Sequence, residues 1–269
     1  MKPFLKWAGN KYAILDRVQE VLPAGNRLVE PFAGSGAVFL NTDYAQALLA
    51  DSNADLISLY KLLQLQGDEF IAYCRTFFTG EHNHAERYYA LREEFNRTQD
   101  RRRKAALFLY LNRHGYNGLC RYNAKGGFNV PFGRYAKPYF PEKEMKAFHR
   151  KAAHAEFRVA DFREVVRDAR AGDVVYCDPP YVPLSSTANF TSYHTGGFGS
   201  REQNDLARMA ELLSARGIPV LISNHDTDVT LVAYRHASSL VKLNVRRMIS
   251  CNASNRKKAK ELLALFKAA

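Results

Sequence analysis

A glycine-containing turn follows the first apolar run of the chain. Arg27–Glu30 has the length and composition of a buried strand, the turn Pro-Phe-Ala-Gly-Ser-Gly ends at Gly36, and Ala37 begins a helical pattern. A second apolar run, Ala47–Ala50, ends in Asp51. This order predicts the opening of an α/β sheet, because parallel strands need a crossover segment between them.

The pattern becomes helical in the next part of the chain. From about residue 55 to 112, apolar residues recur at helical spacing. Between residues 115 and 141 the composition shifts to Gly, Asn, Arg, Tyr and Pro with little periodicity, which is typical of a long loop that carries function. We therefore predict a mostly helical insertion at residues 55–145.

Strand patterns return after the insertion. Asp173–Cys177 and Ile218–Ser223 are apolar runs, and Asn204–Leu213 between them has helical spacing. Strand, helix and strand in alternation predict a doubly wound, Rossmann-like α/β core formed by residues 1–54 and 146–269.

The end of the chain allows two interpretations. The composition of Lys260–Phe266 favours a helix, whereas Leu240–Ile249 before it would pair with it as a hairpin. A further segment, from about residue 185 to 200, is rich in Ser, Thr and Gly, and we expect it to be mobile.

The chain is strongly basic. Its 269 residues include 39 Lys and Arg against 27 Asp and Glu, a formal net charge of +12. Such an excess attracts polyanions, including nucleic acid, but basic surfaces also serve only solubility. The run Arg101–Lys104 fits either phosphate contacts or a solvated helix start. Charge alone therefore does not decide the partner.

Several classes of protein are disfavoured by composition. Hydrophobic residues make up 46% of the chain, which is enough for a packed core. There is no run of 18 uncharged apolar residues, and the first ten residues have no signal-peptide core. The four cysteines are dispersed, without a C-x-x-C pair. We expect a cytoplasmic protein with reduced thiols, no membrane partner and a monomeric state.

The turn after the first strand fits a nucleoside ligand. Its glycines let the backbone approach a ligand closely, and Asp51, about 20 positions after Glu30, can accept both hydroxyls of a ribose. The turn lacks the third glycine of G-x-G-x-x-G, so a ligand without phosphates fits better. This favours S-adenosylmethionine, although a simple strand-to-helix turn explains the same residues.

The sequence Asp178-Pro-Pro-Tyr181 follows the strand that ends at Cys177, where open α/β sheets bind ligands. The prolines lack N–H groups, which leaves carbonyl oxygens free to accept hydrogen bonds from a ligand. A carboxylate and a carbonyl that accept both N–H bonds of an aromatic amino group would free its lone pair for attack on a methyl sulfonium. The tyrosine ring can stack on the base. The alternative is a proline-rich turn that closes a strand.

Taken together, five ordered segments resemble the Dam-type DNA adenine-N6 methyltransferases of bacteria and phages, over nearly the whole chain. The segments are Phe4-Leu-Lys-Trp-Ala-Gly-Asn-Lys11, Glu30-Pro-Phe-Ala-Gly-Ser-Gly36, Leu111-Asn-Arg-His-Gly-Tyr-Asn-Gly-Leu-Cys-Arg-Tyr-Asn123, Phe128-Asn-Val-Pro-Phe-Gly-Arg-Tyr135 and Asp178-Pro-Pro-Tyr181.

The resemblance implies roles for individual residues. The catalytic residues that it implies are Asp178, Pro179 and Tyr181. Those implied to contact S-adenosylmethionine are Trp7, Lys11, Glu30, Phe32, Gly34, Gly36, Asp51, Asp161, Phe162 and Asp178. Those implied to bind, read and distort a double-stranded G-A-T-C site are Lys6, Tyr116, Asn117, Leu119, Arg121, Pro131, Arg134 and Tyr135. No metal is implied.

The side-chain chemistry of the DNA-reading set agrees with these roles. Arg121 and Arg134 can each contact guanine in a bidentate manner, and Leu119 and Pro131 can touch a thymine methyl group. Tyr116 can wedge into the base stack. Alone, each of these would be a surface arginine or a core residue, but within 115–141 of a basic protein we favour the DNA-reading role.

One position departs from the family. The family usually has Trp-Ala-Gly-Gly-Lys near the N-terminus, whereas Asn10 replaces the second glycine here. Asn tolerates positive φ better than most residues, so we expect the turn to survive this replacement.

We therefore expect transfer of a methyl group from S-adenosylmethionine to N6 of adenine in duplex GATC, by base flipping and direct displacement. Alternatives are methylation of the cytosine N4 amino group or of a glutamine side chain, and a DNA-binding regulator with vestigial methyltransferase activity. A nicotinamide oxidoreductase is disfavoured by the missing glycine and by the basic insertion.

Overall fold

The structure is a computed structural model that describes residues 1–181, 198–246 and 258–268. The predicted mobile segment at about 185–200 lies mostly outside these residues. Within them, no helix is long and apolar enough to cross a membrane. The strands are β1 (Arg27–Glu30), β2 (Gln46–Asp51), β3 (Ala155–Val159), β4 (Asp173–Cys177), β5 (Val220–His225), β6 (Ser239–Arg246) and β7 (Lys258–Phe266).

These strands form one sheet in the order β3-β2-β1-β4-β5-β7-β6. The pairs β3–β2, β2–β1, β1–β4 and β4–β5 are parallel, whereas β7 is antiparallel to β5 and to β6. The predicted doubly wound, Rossmann-like α/β class is confirmed. The chain runs outward from β1 in one direction and from β4 in the other, so a topological switch point lies between these two strands.

Of the two interpretations of the chain end, the hairpin is correct. β7 lies between β5 and β6, and Leu262, Leu263 and Ala264 are fully buried there. Inter-strand hydrogen bonds on both sides and burial of both faces outweigh the helix propensity of this segment, which is a weak preference.

Helices cover both faces of the sheet. They are α1 (Leu15–Val21), α2 (Ala37–Leu40), α3 (Ala54–Arg75), α4 (Ala85–Arg97), α5 (Arg101–His114), α6 (Glu142–Lys151), α7 (Phe162–Arg167), α8 (Ser200–Ala215) and α9 (Asp228–Ala233). Short 3-10 turns occur at Lys11–Ile14, Gly80–His82, Tyr116–Gly118 and Ala152–His154. On β1, Leu28 belongs to the hydrophobic cluster of one face and Val29 to that of the other, as strand alternation requires.

The helical insertion shares a core with the sheet. α3 packs against β2, β3 and α6 as well as against α5. The cluster on that face contains Leu49 of β2, Leu63 of α3 and Phe108 of α5. The predicted boundaries at residues 55 and 145 fall inside α3 and α6, and they stay a prediction.

The segment from residue 115 to 135, predicted as a long loop, folds as an irregular antiparallel hairpin, which we call the 115–135 hairpin. Bridges join Gly115 to Phe132 and Tyr122 to Phe128. α4 supports the arm that contains Val130. The Tyr88 hydroxyl and the Arg92 guanidinium of this helix both donate to the Val130 carbonyl, each at 3.0 Å. Side chains on the other side of this arm therefore face outward.

Candidate active site

A cavity of about 670 Å³ lies at the carboxyl ends of β1 and β4. This is the switch point of the sheet, where the loops after the two strands separate and leave a crevice. Its size is within the range of small-molecule sites. The predicted catalytic and cofactor residues that line it are Trp7, Lys11, Glu30, Phe32, Gly34, Asp51, Asp161, Phe162, Asp178, Pro179 and Tyr181.

Gly36 is the one predicted cofactor residue that does not line this cavity. It precedes α2 as its N-cap, with φ of +67°. The glycine is therefore used to begin a helix directly after the turn, since left-handed backbone conformations cost glycine little.

An ion pair between two lining residues lies in the cavity wall. Lys11 Nζ is 2.8 Å from Asp178 Oδ1, and the lysine side chain is only 4% exposed. Ser223 Oγ donates to the same oxygen at 3.1 Å. Burial raises the pKa of Asp178, and Lys11 and Ser223 oppose that rise. Both contacts are made to Oδ1, so Oδ2 can accept a further hydrogen bond without displacing either of them.

The Tyr181 ring is held next to this pair. Lys11 Nζ lies 4.6 Å from the ring centroid, and the His225 ring lies 4.1 Å away. Burial, followed by the charges of Asp178 and Glu261, raises the pKa of Tyr181 well above its ordinary value. The phenol is therefore neutral, and the ring provides a flat surface at the cavity wall.

Glu30 at the end of β1 is a second buried carboxyl group. Its side chain is 2% exposed, and its Oε1 has no hydrogen-bond partner within the described part of the chain. Burial is the main cause that raises the pKa of Glu30 to about 8, the Phe39 backbone N–H opposes it, and the charge of Asp178 adds to it. Glu30 is therefore mostly protonated at neutral pH.

Asp51, the last residue of β2, also lines the cavity. Its Oδ2 accepts from the Gly34 backbone N–H at 3.1 Å, and its Oδ1 accepts from the Asn53 N–H at 2.9 Å. Gly34 has a φ of +46°, and a Cβ there would lie 2.9 Å from Trp7 Nε1. A side chain at position 34 would thus push the indole out of the cavity wall.

An aromatic group forms another wall. The rings of Phe32 and Phe162 are stacked at 5.3 Å, and the Phe198 ring lies 5.5 Å from each of them. Asp161 caps α7 by accepting from the Arg163 N–H at 2.8 Å. These rings form an apolar part of the cavity wall, next to the Asp161 carboxylate.

The predicted DNA-reading residues lie together, on or next to the 115–135 hairpin. Lys6 Nζ lies 3.9 Å from the centroid of the Tyr135 ring, and the Tyr135 hydroxyl accepts from the Asn117 N–H at 2.9 Å. Burial and the charge of Arg113 lower the pKa of Lys6 to about 8. Trp7 lines the cavity, and its neighbour Lys6 lies against the hairpin. The cavity and the 115–135 hairpin are therefore in direct contact.

The remaining members differ in exposure. Tyr116 is 44% exposed, Arg121, Pro131 and Arg134 are also exposed, and Leu119 is half-buried against the core. Across the hairpin, Arg121 Nε donates to Asn129 Oδ1 at 2.7 Å and Nη2 donates to the Asn129 carbonyl at 3.2 Å. The guanidinium has five N–H groups, so three remain available to a ligand.

Backbone strain is located in the same hairpin. Among the residues that the structure describes, Asn117 and Arg134 are the non-glycine residues with positive φ, at 52° and 53°. Such conformations are costly for L-residues and are often found at functional sites. Both residues were predicted to bind DNA.

The turn near the N-terminus does not use the positive φ that Asn10 tolerates. The φ of Asn10 is −57°, and the preceding Gly9 has the positive value, 75°. The Asn10 side chain donates to the Trp7 carbonyl at 3.0 Å and accepts from the Tyr12 N–H at 3.2 Å. Asn10 therefore caps the turn that begins at Lys11, which a second glycine could not do with a side chain.

The basic run Arg101–Lys104 is engaged within the protein. Arg102 pairs with Glu69 at 2.7 Å, Arg103 pairs with Glu94, and Lys104 pairs with Asp55 at 3.1 Å. Their charges are largely matched by these carboxylates, which favours the solvated-helix interpretation for three of the four residues.

Several residues that line or support the cavity were not found from the sequence. Ser223 and His225 contact the Asp178-Pro-Pro-Tyr181 motif from β5, and Phe198 and Cys120 line the cavity. A polar Ser-Asn-His at the end of an apolar strand was the available signal, because side chains at the carboxyl end of a parallel strand face the ligand crevice.

Comparison with known proteins agrees with this geometry. Residues 7–249 match the model of the D12 class N6 adenine-specific DNA methyltransferases. The chain is 56% identical to the DNA adenine methylase of Escherichia coli strain K12 over 266 residues, covering 99% of this chain and 95% of that protein. Identity is 54% to the Serratia marcescens DNA adenine methylase, covering 99% and 98%, and 51% to that of Vibrio cholerae O1, covering 98% and 96%.

These matches span nearly the full length of the chain and of the relatives. They include the cavity, the 115–135 hairpin and the motif after β4. The resemblance found in the sequence is thereby confirmed. The chain belongs to the D12 class of N6 adenine-specific DNA methyltransferases.

Proposed function

We propose that this enzyme transfers a methyl group from S-adenosylmethionine to N6 of an adenine that has been flipped out of a duplex GATC site. The observation that carries the proposal is that one cavity joins the buried Lys11–Asp178 pair and Tyr181 to the Asp51 carboxylate. A single site can therefore hold both the methyl donor and the methyl acceptor.

The residues of the cavity fit S-adenosylmethionine. Besides the mostly protonated Glu30, the cavity is lined by four carboxylates, Asp51, Asp161, Asp178 and Glu202, against the two cations Lys11 and Arg163. A dinucleotide pyrophosphate would be repelled there, whereas a ligand with an ammonium and a sulfonium group is attracted. The Oε1 atom of Glu30, which has no partner within the described residues, can hydrogen-bond to such a ligand. When bound, S-adenosylmethionine would supply an electrophilic methyl group.

The methyl acceptor is proposed to bind at the Asp178 end. The Asp178 carboxylate and the Pro179 carbonyl accept the two N–H bonds of the adenine amino group, which localises its lone pair for direct attack. Lys11 and Ser223 hold the carboxylate in place, so little reorganisation is needed during the reaction. The Tyr181 ring stacks on the base, and the proton released from nitrogen passes to solvent.

Access of the base to this point is proposed to involve the 115–135 hairpin. Gly118 and Cys120 of the hairpin line the same cavity, while Tyr116 and Arg121 lie on its exposed side. An adenine that leaves the stack beside Tyr116 thus has a short path to Tyr181. Unstacking costs a few kcal/mol, which contacts with the hairpin and stacking on Tyr181 offset.

The test is a methyl-transfer assay. Purified protein is incubated with methyl-labelled S-adenosylmethionine and with duplexes that carry GATC or a scrambled site. We expect label on N6 of the GATC adenine only. Equal labelling of both duplexes would contradict the site assignment, and labelling of neither would contradict the donor and the reaction. Nucleoside analysis of the product separates adenine N6 from cytosine N4.

A further inference from the structure

A buried network of side chains supports the Asp178-Pro-Pro-Tyr181 motif from outside the cavity. Gln203 in the first turn of α8, Asn224 at the end of β5 and Tyr234 after α9 are each at most 1% exposed. Asn224 Nδ2 donates to Gln203 Oε1 at 3.0 Å and to the Tyr234 hydroxyl at 2.9 Å, and that hydroxyl donates to Gln203 Oε1 at 2.9 Å.

This network determines the orientation of the Gln203 amide. Two donors converge on Oε1, so Nε2 must be directed the other way. There it donates to the Pro180 carbonyl at 3.4 Å. A flipped amide would place NH₂ against the Tyr234 and Asn224 donors and leave buried groups unpaired, which is costly.

The Pro180 carbonyl is an effective point at which to hold the motif. Pro179 and Pro180 have no N–H, so the backbone between Asp178 and Tyr181 can be anchored mainly through carbonyl oxygens. The plane of the Pro180–Tyr181 peptide sets the direction in which the Tyr181 side chain leaves the backbone. A donor on this carbonyl thus limits the position of the ring.

The end of β5 holds the motif at three points. Ser223 donates to Asp178, and His225 packs against the Tyr181 ring. Asn224 acts indirectly, because it orients Gln203, which donates to the Pro180 carbonyl. Ser223 and His225 lie on one face of the strand and Asn224 on the other, because side chains alternate along a strand. The two faces of one strand end therefore secure consecutive parts of one motif.

We infer that Gln203, oriented by Asn224 and Tyr234, is a positioning residue for methyl transfer: through the Pro180 carbonyl it holds the Tyr181 ring against the flipped adenine. The inference rests on the proposed placement of that base at Tyr181. Gln203 itself touches no reacting atom.

The test uses Gln203→Met in the full-length protein, because Met retains the volume and removes the donor. We expect kcat for a GATC duplex to fall roughly ten- to hundredfold, as for other small misplacements of reacting groups, while KM for DNA and the Kd for S-adenosylmethionine change less than about twofold. The matched control is Gln64→Met. Gln64 donates to the Ala152 and Ala155 carbonyls, away from the motif. Loss of these two hydrogen bonds in Gln64→Met should lower Tm without lowering kcat.

A spectroscopic measurement separates positioning from stability. With 2-aminopurine in place of the target adenine, the flipped base is quenched when it stacks on an aromatic ring. We expect the complex of Gln203→Met to fluoresce more strongly than those of wild type and Gln64→Met. If Gln203→Met does not fold, Tyr234→Phe removes only the hydroxyl and should show the same change at smaller size, roughly two- to tenfold in kcat.

The outcomes are distinguishable. Unchanged kcat and fluorescence in a folded Gln203→Met, with Tm lowered as in Gln64→Met, would overturn the inference and leave the proposed function standing. A wild-type protein that methylates neither duplex would overturn the proposed function itself. Equal losses of kcat in Gln203→Met and Gln64→Met would show a purely structural effect and would also overturn the inference.

Discussion

The cavity and the 115–135 hairpin handle charge in opposite ways. In the cavity, Lys11 is 4% exposed and is paired with Asp178. On the hairpin, Arg121 and Arg134 are exposed, and the Arg121 guanidinium is held by a neutral partner, Asn129. The chemical step needs fixed, desolvated groups, whereas DNA reading needs charges that can still exchange water for phosphates and bases.

The largest expected effect is a loss of methyl transfer, which should follow replacement of Asp178 but not of Asp173 at the other end of β4. Asp178 follows β4, and Asp173 begins it in a bidentate pair with Arg27. Asp178→Ala should lower methyl transfer by at least about a thousandfold, because the acceptor of the amino group is lost, while duplex binding is largely retained. Single-turnover assays and gel shifts on the same samples measure both.

The matched variant Asp173→Ala should behave differently. It leaves Arg27 without its partner, as Asp178→Ala leaves Lys11, and in either variant this costs about 3–5 kcal/mol of stability. Transfer per folded molecule, measured below the lowered Tm, should stay within about threefold of wild type. A thousandfold loss in Asp173→Ala as well would mean that the Asp178 result reports only damage to β4.

The next largest effect is that of salt concentration, which should change the affinity for DNA at the hairpin much more than the affinity for the ligand of the cavity. Affinity for any duplex is expected to fall by at least roughly a hundredfold between 50 and 200 mM salt, because counterions are released from the phosphates. The affinity for S-adenosylmethionine should change little, since its partners are buried. Fluorescence anisotropy and calorimetry give the two values. Equal salt dependence for both ligands would contradict the comparison, and the GATC preference should vary much less than the affinity.

Within the hairpin, loss of a base contact should affect binding differently from loss of a phosphate contact. Arg121→Ala should cost about 1–3 kcal/mol of discrimination at one base pair of the site, because a base-edge contact is lost. Lys125→Ala, at the exposed turn of the same hairpin, should weaken binding to all sequences alike. Competition with singly substituted duplexes measures this. A uniform loss in Arg121→Ala would reassign that residue to the phosphates.

The last prediction concerns the pH dependence that arises from the protonation of Glu30. Its folded-state pKa of about 8 lies above the ordinary value of 4.5, so the folded protein holds this proton longer than the unfolded chain. The stabilising contribution is present below pH 4.5 and is lost as pH rises to 8, by about 1.4 kcal/mol per pH unit as an upper bound. Glu30→Gln does not titrate, so its Tm relative to wild type should rise from pH 5 to pH 8 by a few °C per unit. A constant difference would show that Glu30 is charged throughout.

How much of the site could be predicted depended on how local its residues are. Asp178 and Tyr181 belong to one four-residue motif, and Glu30 and Gly34 belong to one turn, so their arrangement follows from short-range backbone geometry. Ser223 contacts Asp178 from 45 positions away along the chain. No local pattern encodes such a pairing, because the order of strands in the sheet creates it.

Local preferences were also overruled at particular places. β7 has the composition of a helix but lies between two strands that supply its hydrogen bonds. Asn10 tolerates positive φ but caps a turn at negative φ, because its side chain has the Trp7 carbonyl and the Tyr12 N–H within reach. In both cases groups from neighbouring backbone decided between conformations of similar energy.

The sequence by itself determined the α/β class, the family and most of the chemical groups of the cavity, because strand periodicity, a glycine turn and a proline motif each have a local physical cause. Only the tertiary structure decided which groups meet. It paired Lys11 with Asp178, placed Lys6 against Tyr135, and put Gln203 on the Pro180 carbonyl. These contacts join segments that are distant along the chain, and burial in one shared core is what brings them together.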